Sequence, residues 1–155
     1  MWNTFERYRA LGPDARSLFG RAVLLLPRIA LSLQLRGFKK TKESLQEKAH
    51  GDAPFKIPDV FTAATVQMTC RMVRASARYG ILKPTCLVES LTLWYMLQKQ
   101  DIPAILRIGV RKDADKFEAH AWVEYEGQAL NQLEEQHRHY AAFDTGFSDQ
   151  PGDKP

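Results

Sequence analysis

The stretch PTCLVESLTLWYMLQKQDIPAILRIGV, residues 84–110, joins a helix pattern directly to a strand pattern. From Cys86 to about Gln98, apolar side chains fall on every side of the helix, which is typical of a helix enclosed by other elements. The β-rich run AILRIGV, residues 104–110, follows directly after Ile-Pro. The stretch therefore predicts a central, buried helix that leads into a strand.

Cys86 lies in the first turn of this predicted helix, directly after Pro84 and Thr85, whose residue types suit a helix start. The unpaired N–H groups and the dipole of a helix N-terminus favour an anion. A thiolate is an anion and is the nucleophilic form of cysteine. Cys86 is therefore a candidate nucleophile, although a cysteine in an apolar helix is also a common buried residue.

Short β-rich segments and a tight turn follow, which is typical of an antiparallel meander. A charged loop, RKDADK (111–116), precedes the predicted strand FEAHAWVEY (117–125). A Glu126-Gly127 turn then leads into the short returning strand QALN (128–131). The second half of the chain is therefore expected to form a small antiparallel sheet.

His120 lies in the middle of the 117–125 strand, and alternation places it on the same face as Trp122. A cysteine at a helix start and a histidine in a strand are the two parts of acyl transfer, because the thiolate attacks a carbonyl and the imidazole moves the proton. A histidine in a strand is also often a structural residue. Trp122 is interpreted as a core aromatic or as a wall of the site that contacts substrate.

A third group must hold the imidazole of His120 in place. If Glu126-Gly127 forms a two-residue hairpin turn, Trp122 faces Asn131, and Asn131 becomes a diagonal neighbour of His120. A three-residue loop with a bulge shifts the register by one residue and brings Gln132 to that face instead. The register of the hairpin therefore decides whether the amide of Asn131 or that of Gln132 lies beside His120.

Two long helices are predicted before the central one. The first runs from Pro13 to about Leu35 and ends at Gly37, and the second runs from Asp59 to Gly80. The stretch FKKTKESLQEKAHGDAPFKIP between them is interpreted as a short exposed helix and a linker. The apolar positions expected to face the core are Leu18, Ala22, Leu25, Ile29 and Leu33 in the first helix, and Phe61, Ala64, Thr65, Met68, Met72, Ala75 and Tyr79 in the second.

These elements predict an α+β fold in a chain long enough for one hydrophobic core. The organisation is an N-terminal helical region and linker over residues 1–57, a core over 58–145 and a flexible tail over 146–155.

Charge is unevenly distributed. The first 83 residues carry 15 Lys and Arg against 6 Asp and Glu, whereas the remaining residues carry 7 against 12. Basic residues without interleaved aromatics argue against nucleic-acid binding and favour an acidic or mixed-charge polypeptide partner. Arg71, Arg74 and Arg78 are a candidate docking surface for it.

The two cysteines, Cys70 and Cys86, indicate neither a disulfide scaffold nor a zinc finger. Cys70 is interpreted as a structural residue of the second helix. His137 and His139 have no further ligand spaced to join them, so no metal site is expected.

The apolar run AVLLLPRIALSLQL is divided by Pro27 and Arg28 into pieces shorter than the roughly 18 residues that span a bilayer. It is interpreted as a core helix, neither a membrane span nor a signal peptide. The expected compartment is the reducing cytoplasm.

The segments CLVESLTLWYMLQKQDIPAILRIGV and EAHAWVEYEGQALN resemble the transglutaminase-like, papain-related core of the B protein of lasso-peptide biosynthesis, and the resemblance extends over about residues 59–131. The order is specific: Cys-Leu opening a helix, Ile-Pro after it, a strand ending Ile-Gly-Val, then Ala-His-Ala-Trp-Val-Glu. The leucine-rich N-terminal helices are also similar to those of this family. Because the chain begins with them, it resembles the split form, in which leader recognition resides in a separate protein.

The resemblance implies a cysteine endopeptidase that removes the leader from a ribosomally made precursor, with Cys86 as nucleophile and His120 as general base. It implies three partners: the precursor leader peptide, the leader-recognition protein and an ATP-dependent lasso cyclase. It implies no cofactor. The family usually has an aspartate at the position of Gln132, so Asn131, Gln132 or Asp144 would orient His120 here, and Asn131 is favoured because an amide serves in papain-like enzymes.

Two other classes of function remain open from the sequence. A peptide-binding or scaffold protein could keep the fold without the chemistry, as the missing aspartate suggests. An acyl transferase would pass the thioester to an amine instead of water.

Overall fold

The computed structural model of the chain describes residues 9–49, 60–113, 116–131 and 141–143. The elements are α1 (Pro13–Ala49), α2 (Val60–Tyr79), α3 (Cys86–Gln98), β1 (Ile105–Asp113), β2 (Lys116–Tyr125), β3 (Gln128–Ala129) and β4 (Ala141–Phe143). Helices followed by an antiparallel sheet give the α+β class that the sequence predicts. The predicted domain boundary at 57/58 and the predicted tail over 146–155 lie outside the described residues.

Helix α1 bends at Gly37, whose φ of 77° and ψ of 175° are not helical. A positive φ of this kind is readily adopted by glycine. The Ser32 Oγ and Thr41 Oγ1 atoms lie 2.9 Å apart across the bend, and Thr41 is buried. The sequence predicts the break correctly, and the helix after it extends to Ala49. The two arms of α1 on either side of Gly37 are called the α1 elbow below.

The helices bury one side each, and the buried side of α2 overlaps only in part with the predicted one. In α1 the predicted positions Ala22 and Ile29 are buried. In α2 the predicted position Met72 is buried, but Met68 and Tyr79 are exposed. The side of α2 that faces the core carries several hydroxyl and thiol groups, which its backbone can satisfy: Thr69 donates to Thr65 O and Ser76 donates to Met72 O. The buried residues of α2 are Val66, Thr69, Cys70, Met72, Val73 and Ser76.

Helix α3 lies at the centre, as its sequence predicts, and it has the predicted bounds. Thr85 caps it by accepting a hydrogen bond from the Val88 N–H at 3.4 Å. Leu91, Leu93 and Leu97 are fully buried. The helix packs against α1, α2 and β2, and the three helices share one hydrophobic core with the sheet.

The sheet has the strand order β3-β2-β1-β4, and each neighbouring pair is antiparallel. The prediction of a loop over 111–116 is wrong, because β1 and β2 pair as far as Asp113 and Lys116. Arg111 donates to Glu118 at 2.7 Å, and the Lys112 ammonium lies 5.8 Å from the centre of the Phe117 ring. Such cross-strand pairs stabilise a ladder of charged residues.

The β2–β3 hairpin has the predicted two-residue turn. Glu126 and Gly127 both have positive φ, and Tyr125 pairs with Gln128. The returning strand ends at Ala129, two residues earlier than predicted. The short strand β4 was not predicted, since three residues carry too little pattern to identify a strand.

Helix α1 is long and apolar enough to cross a membrane by length and composition alone, with a mean hydropathy of 1.5 over 18 residues. One such helix is weak evidence for a membrane span, because core helices of soluble proteins pass the same test. Only 17% of that window is buried. The predicted core helix therefore contributes one side to the core, through Ala22, Leu26 and Ile29, and exposes the rest.

Candidate active site

Cys86 is the first residue of α3, and its side chain is exposed. The Val88 N–H donates to the Thr85 side chain. The Glu89 N–H donates to Thr85 O at 3.0 Å, which is the first backbone hydrogen bond of the helix. The N–H groups of Cys86 and Leu87 make no hydrogen bond in the described part of the chain. They are therefore available to a negatively charged oxygen beside the thiol.

His120 lies in the middle of β2, opposite Gly109 of β1, and is half-buried. The ring centres of His120 and Trp122 are 6.1 Å apart, with 11° between their planes, so the two rings are stacked. This confirms the predicted shared face. Trp122 is only 2% exposed. Its predicted contact with substrate stays a prediction.

The Trp122 ring is itself held by a carboxylate that joins two strands. Its Nε1 donates to Glu124 Oε1 at 2.8 Å, and Arg107 Nε of β1 donates to Glu124 Oε2 at 3.1 Å. Glu124 and the flanking Arg107 therefore fix the indole, and the indole supports the imidazole of His120.

Ser90 connects α3 to β2 beside His120. Its Oγ donates to Ala121 O at 2.9 Å, and Ser90 is fully buried. Ser90 lies four residues after Cys86, so both are on the same side of α3. Ala121 directly follows His120. The contact therefore brings the first turns of α3 to the part of β2 that carries His120.

Asn131 completes this junction. Its Nδ2 donates to Ser90 Oγ at 2.7 Å, and its Oδ1 accepts from the Val123 N–H at 2.8 Å. The Leu130 N–H still donates to Val123 O, but in return the Val123 N–H donates to the Asn131 side chain, while Leu130 O accepts from Cys70 instead. This substitution is the physical reason that β3 ends before Asn131.

The third catalytic group is not assigned by these contacts. The amide of Asn131 is engaged by α3 and by the β2 backbone, and its predicted action on His120 stays a prediction. Gln132 and Asp144, the other two predicted candidates, lie outside the described residues. In the described part of the chain the Cys86 thiol makes no hydrogen bond, so a Cys86–His120 contact also stays a prediction.

Cys70 has a structural contact, in line with its interpretation. It is buried in α2, and its Sγ donates to Leu130 O at 3.0 Å. Burial raises the pKa of the Cys70 thiol, and the guanidinium of Arg74 partly opposes the increase. Hydrogen bonds thus connect the Leu130–Asn131 segment to α2, α3 and β2.

Glu89 lies one residue before Ser90, and burial raises the pKa of its carboxyl, with partial opposition from Arg74. A carboxyl whose pKa is higher in the folded state stabilises the fold below its unfolded pKa. That stability is lost as pH rises through the folded pKa. The Glu89 carboxylate therefore destabilises the fold at neutral pH.

We expect Glu89→Gln to raise the thermal unfolding midpoint at pH 7, and to raise it less at pH 4, where the carboxyl of the wild type is protonated in both states. Thermal unfolding at the two pH values measures the difference. Glu43→Gln on the exposed surface of α1 is the control for the loss of one negative charge. A gain that is larger at pH 4 than at pH 7 would contradict the prediction.

The described part of the chain offers no evident metal-binding site. Among the described residues, no group of three or more His, Cys, Asp and Glu side chains could hold a metal ion. His137 and His139 lie outside the described residues.

The sequence missed three contributors to this site: Ser90, Glu124 and Arg107. Ser90 could have been identified, because it is a serine within an otherwise apolar helix, four residues after the candidate nucleophile. Glu124 had a weaker signal, its position two residues after Trp122. Arg107 had no signal in the sequence, because its contact with Glu124 depends on the β1–β2 register.

Comparison with known proteins gives one result. A sequence profile described as the transglutaminase-like superfamily matches residues 23–144, which extend from α1 to just beyond β4. No curated protein and no solved structure matches the chain.

Proposed function

Since the chain belongs to the transglutaminase-like superfamily, which includes cysteine peptidases and acyltransferases, we propose that it is a cysteine endopeptidase that cleaves a peptide precursor. The observation that carries the proposal is the Ser90–Ala121 hydrogen bond, which joins the helix that begins with Cys86 to the strand of His120. A nucleophile and a base on adjoining elements are what acyl transfer requires.

The proposed reaction begins when His120 takes the thiol proton and the Cys86 sulfur attacks the scissile carbonyl carbon. The N–H groups of Cys86 and Leu87 stabilise the oxyanion of the tetrahedral intermediate. The C–N bond then breaks, the imidazolium gives its proton to the leaving amine, and a thioester remains. Water adds to the thioester with His120 as base, the C–S bond breaks, and the thiol is restored.

The proposed substrate is more specific than what membership of the superfamily indicates, and the support for it comes from the sequence. The order of Cys-Leu, Ile-Pro and Ala-His-Ala-Trp-Val-Glu resembles the leader peptidase of lasso-peptide biosynthesis in its split form. The proposed substrate is therefore a lasso-peptide precursor, cleaved after its leader in the cytoplasm. The proposed partners are a separate leader-recognition protein and an ATP-dependent cyclase that receives the released core peptide.

The test is incubation of the protein with a candidate precursor and recognition protein, followed by mass spectrometry. Hydrolysis gives two peptides whose masses sum to that of the precursor plus one water. An amine adduct in place of the free acid would identify an acyltransferase instead. An intact precursor at all protein concentrations would favour a peptide-binding scaffold, the alternative that the absence of the family aspartate at Gln132 supports.

Glu124 is proposed as a positioning residue for His120, acting through Trp122. Glutamine at this position keeps one acceptor oxygen and no charge, so it cannot meet Trp122 and Arg107 with separate oxygens, and it loses the ion pair with Arg107. We expect Glu124→Gln to lower kcat about 10-fold, equivalent to about 1.4 kcal/mol, with KM changed less than about twofold.

Glu118→Gln is the matched control, because Glu118 lies on the same strand and also pairs with an arginine of β1. We expect it to leave kcat within about twofold of wild type, since surface ion pairs contribute little. Equal losses of kcat in the two variants would contradict the role of Glu124.

A further inference from the structure

A groove extends along α1 on the side of the molecule formed by the α1 elbow and the later part of α3. It consists of two adjoining cavities of about 380 Å³ and 420 Å³. Leu25, Arg28 and Tyr95 line both cavities, so the two adjoin each other. The second cavity lies between the two arms of the elbow, with Ser32 on one arm and Ser44 on the other. This feature is called the α1 groove.

The α1 groove is separate from the candidate active site. Tyr95 follows Cys86 by nine residues, which is two and a half helical turns, so the two side chains lie on opposite sides of α3 and about 14 Å apart along its axis. Neither Cys86 nor His120 lines the groove.

The groove is apolar along its length and open to solvent. Leu24, Leu31 and Leu35 line it and are 61%, 56% and 75% exposed, although leucine is one of the residue types most often buried. These three leucines follow one another at spacings of seven and four residues, which is two turns and one turn of α1, so they lie on one side of the helix and form a stripe. A contiguous exposed apolar surface of this kind marks an interaction site.

Positive charge surrounds the stripe. The groove is lined by Arg21, Arg28, Arg36, Lys48 and Lys99, and no carboxylate is among the lining residues that the structure describes. Within the described residues, none of these five cations makes an ion pair. An apolar groove with uncompensated positive charge is complementary to a ligand that is both apolar and acidic.

We infer that the α1 groove docks an acidic, amphipathic polypeptide segment, with leucine-like side chains in the two cavities and carboxylates against the arginines and lysines. A helix or extended chain in an apolar groove is a recurrent mode of peptide recognition. The concave elbow favours a peptide over a bilayer, because lipid headgroups present a broad surface that does not enter two cavities. The inference does not depend on peptidase activity, since it concerns binding at a separate surface.

The test measures binding of a fluorescein-labelled amphipathic 16-residue peptide of leucine and glutamate at helical spacing, by fluorescence anisotropy. We expect the wild type to bind it, and the same peptide with lysine in place of glutamate to bind at least about 10-fold more weakly. We expect Arg21→Glu/Arg28→Glu to weaken binding of the acidic peptide at least about 10-fold, because two attractive contacts become repulsive.

Lys112→Glu/Lys116→Glu in the β1–β2 hairpin is the matched control, because it changes the net charge equally and lies outside the groove. We expect less than about a twofold change in Kd for this variant. Leu24→Ser/Leu31→Ser tests the apolar part without a change in charge, and we expect at least about a fivefold loss. All of the substituted side chains are exposed, so folding is expected to be retained and is checked by circular dichroism.

Several results would overturn the inference. One is the absence of binding to the acidic peptide, and another is an equal loss of affinity in the α1 and β1–β2 charge variants. A third is sedimentation of the wild type with vesicles of phosphatidylcholine and phosphatidylglycerol combined with no binding of the peptide, which would assign the groove to a lipid surface. Because all of these measurements can be repeated in a Cys86→Ala background, a failure here leaves the proposed peptidase function untouched.

Discussion

Cys86→Ala is expected to lower kcat/KM for precursor cleavage by at least about 1,000-fold, because the proposed thioester cannot form without the sulfur. The free energy of unfolding should stay within about 0.5 kcal/mol of wild type, since the Cys86 side chain is exposed and makes no hydrogen bond to any described residue. Cleavage rates from mass spectrometry and unfolding curves in urea provide the two measurements.

Cys70→Ala is the matched control in the same chain. Cys70 is buried and donates to Leu130 O, so its removal is expected to reduce stability by about 1–2 kcal/mol while the folded protein keeps its activity. At pH 6, iodoacetamide should label Cys86 before Cys70, because Cys70 is buried and its pKa is raised. Retention of full activity by Cys86→Ala would eliminate the peptidase proposal.

Asn131→Ala is expected to destabilise the fold by about 2–3 kcal/mol, the largest loss of stability anticipated for a polar side chain here. The substitution removes the acceptor for the Val123 N–H, in a residue that is fully buried, and also the donor to Ser90 Oγ. A buried N–H left without a partner costs about 1–3 kcal/mol, and the second hydrogen bond adds about 1 kcal/mol. The midpoint of thermal unfolding should fall by about 5–10 °C.

Gln128→Ala is the control for this prediction, since Gln128 belongs to the same hairpin but is exposed, and its loss should change stability by less than about 0.5 kcal/mol. A double-mutant cycle with Ser90→Ala should give a coupling energy of about 1 kcal/mol, because the two side chains share a hydrogen bond. Additive losses in the cycle would show that the two residues do not act together.

The junction has a functional consequence as well. Ser90 and Asn131 fix the distance between α3 and β2, the elements that carry Cys86 and His120. Below the unfolding temperature, Asn131→Ala should therefore also lower kcat. The predicted loss of kcat in Asn131→Ala follows from the hydrogen bonds that join Asn131 to β2 and α3. It requires no contact between the Asn131 amide and the imidazole of His120.

Much of the fold was predictable because its information is local. The all-round apolar pattern of residues 86–98 identified the central helix, alternation placed His120 beside Trp122, and Glu126-Gly127 identified the hairpin turn. Each of these depends on neighbouring residues and on preferred backbone geometry. The prediction of the buried side of α2 was correct for Met72 but wrong for Met68 and Tyr79. Two sides of that helix carry apolar residues at helical spacing, and only packing against α1 and α3 selects between them.

By itself, then, the sequence determined most of the element types, the position of the hairpin turn and the two candidate residues Cys86 and His120, since periodicity and turn chemistry act over a few residues. The tertiary structure alone decided which polar atoms meet: Ser90 joins Asn131 across 41 positions of the chain, and Ala121 across 31. It also formed the α1 groove by bending α1 at Gly37 against Tyr95. The physical reason is that hydrogen bonds and cavities depend on angstrom-scale distances between remote segments, which a residue pattern does not encode.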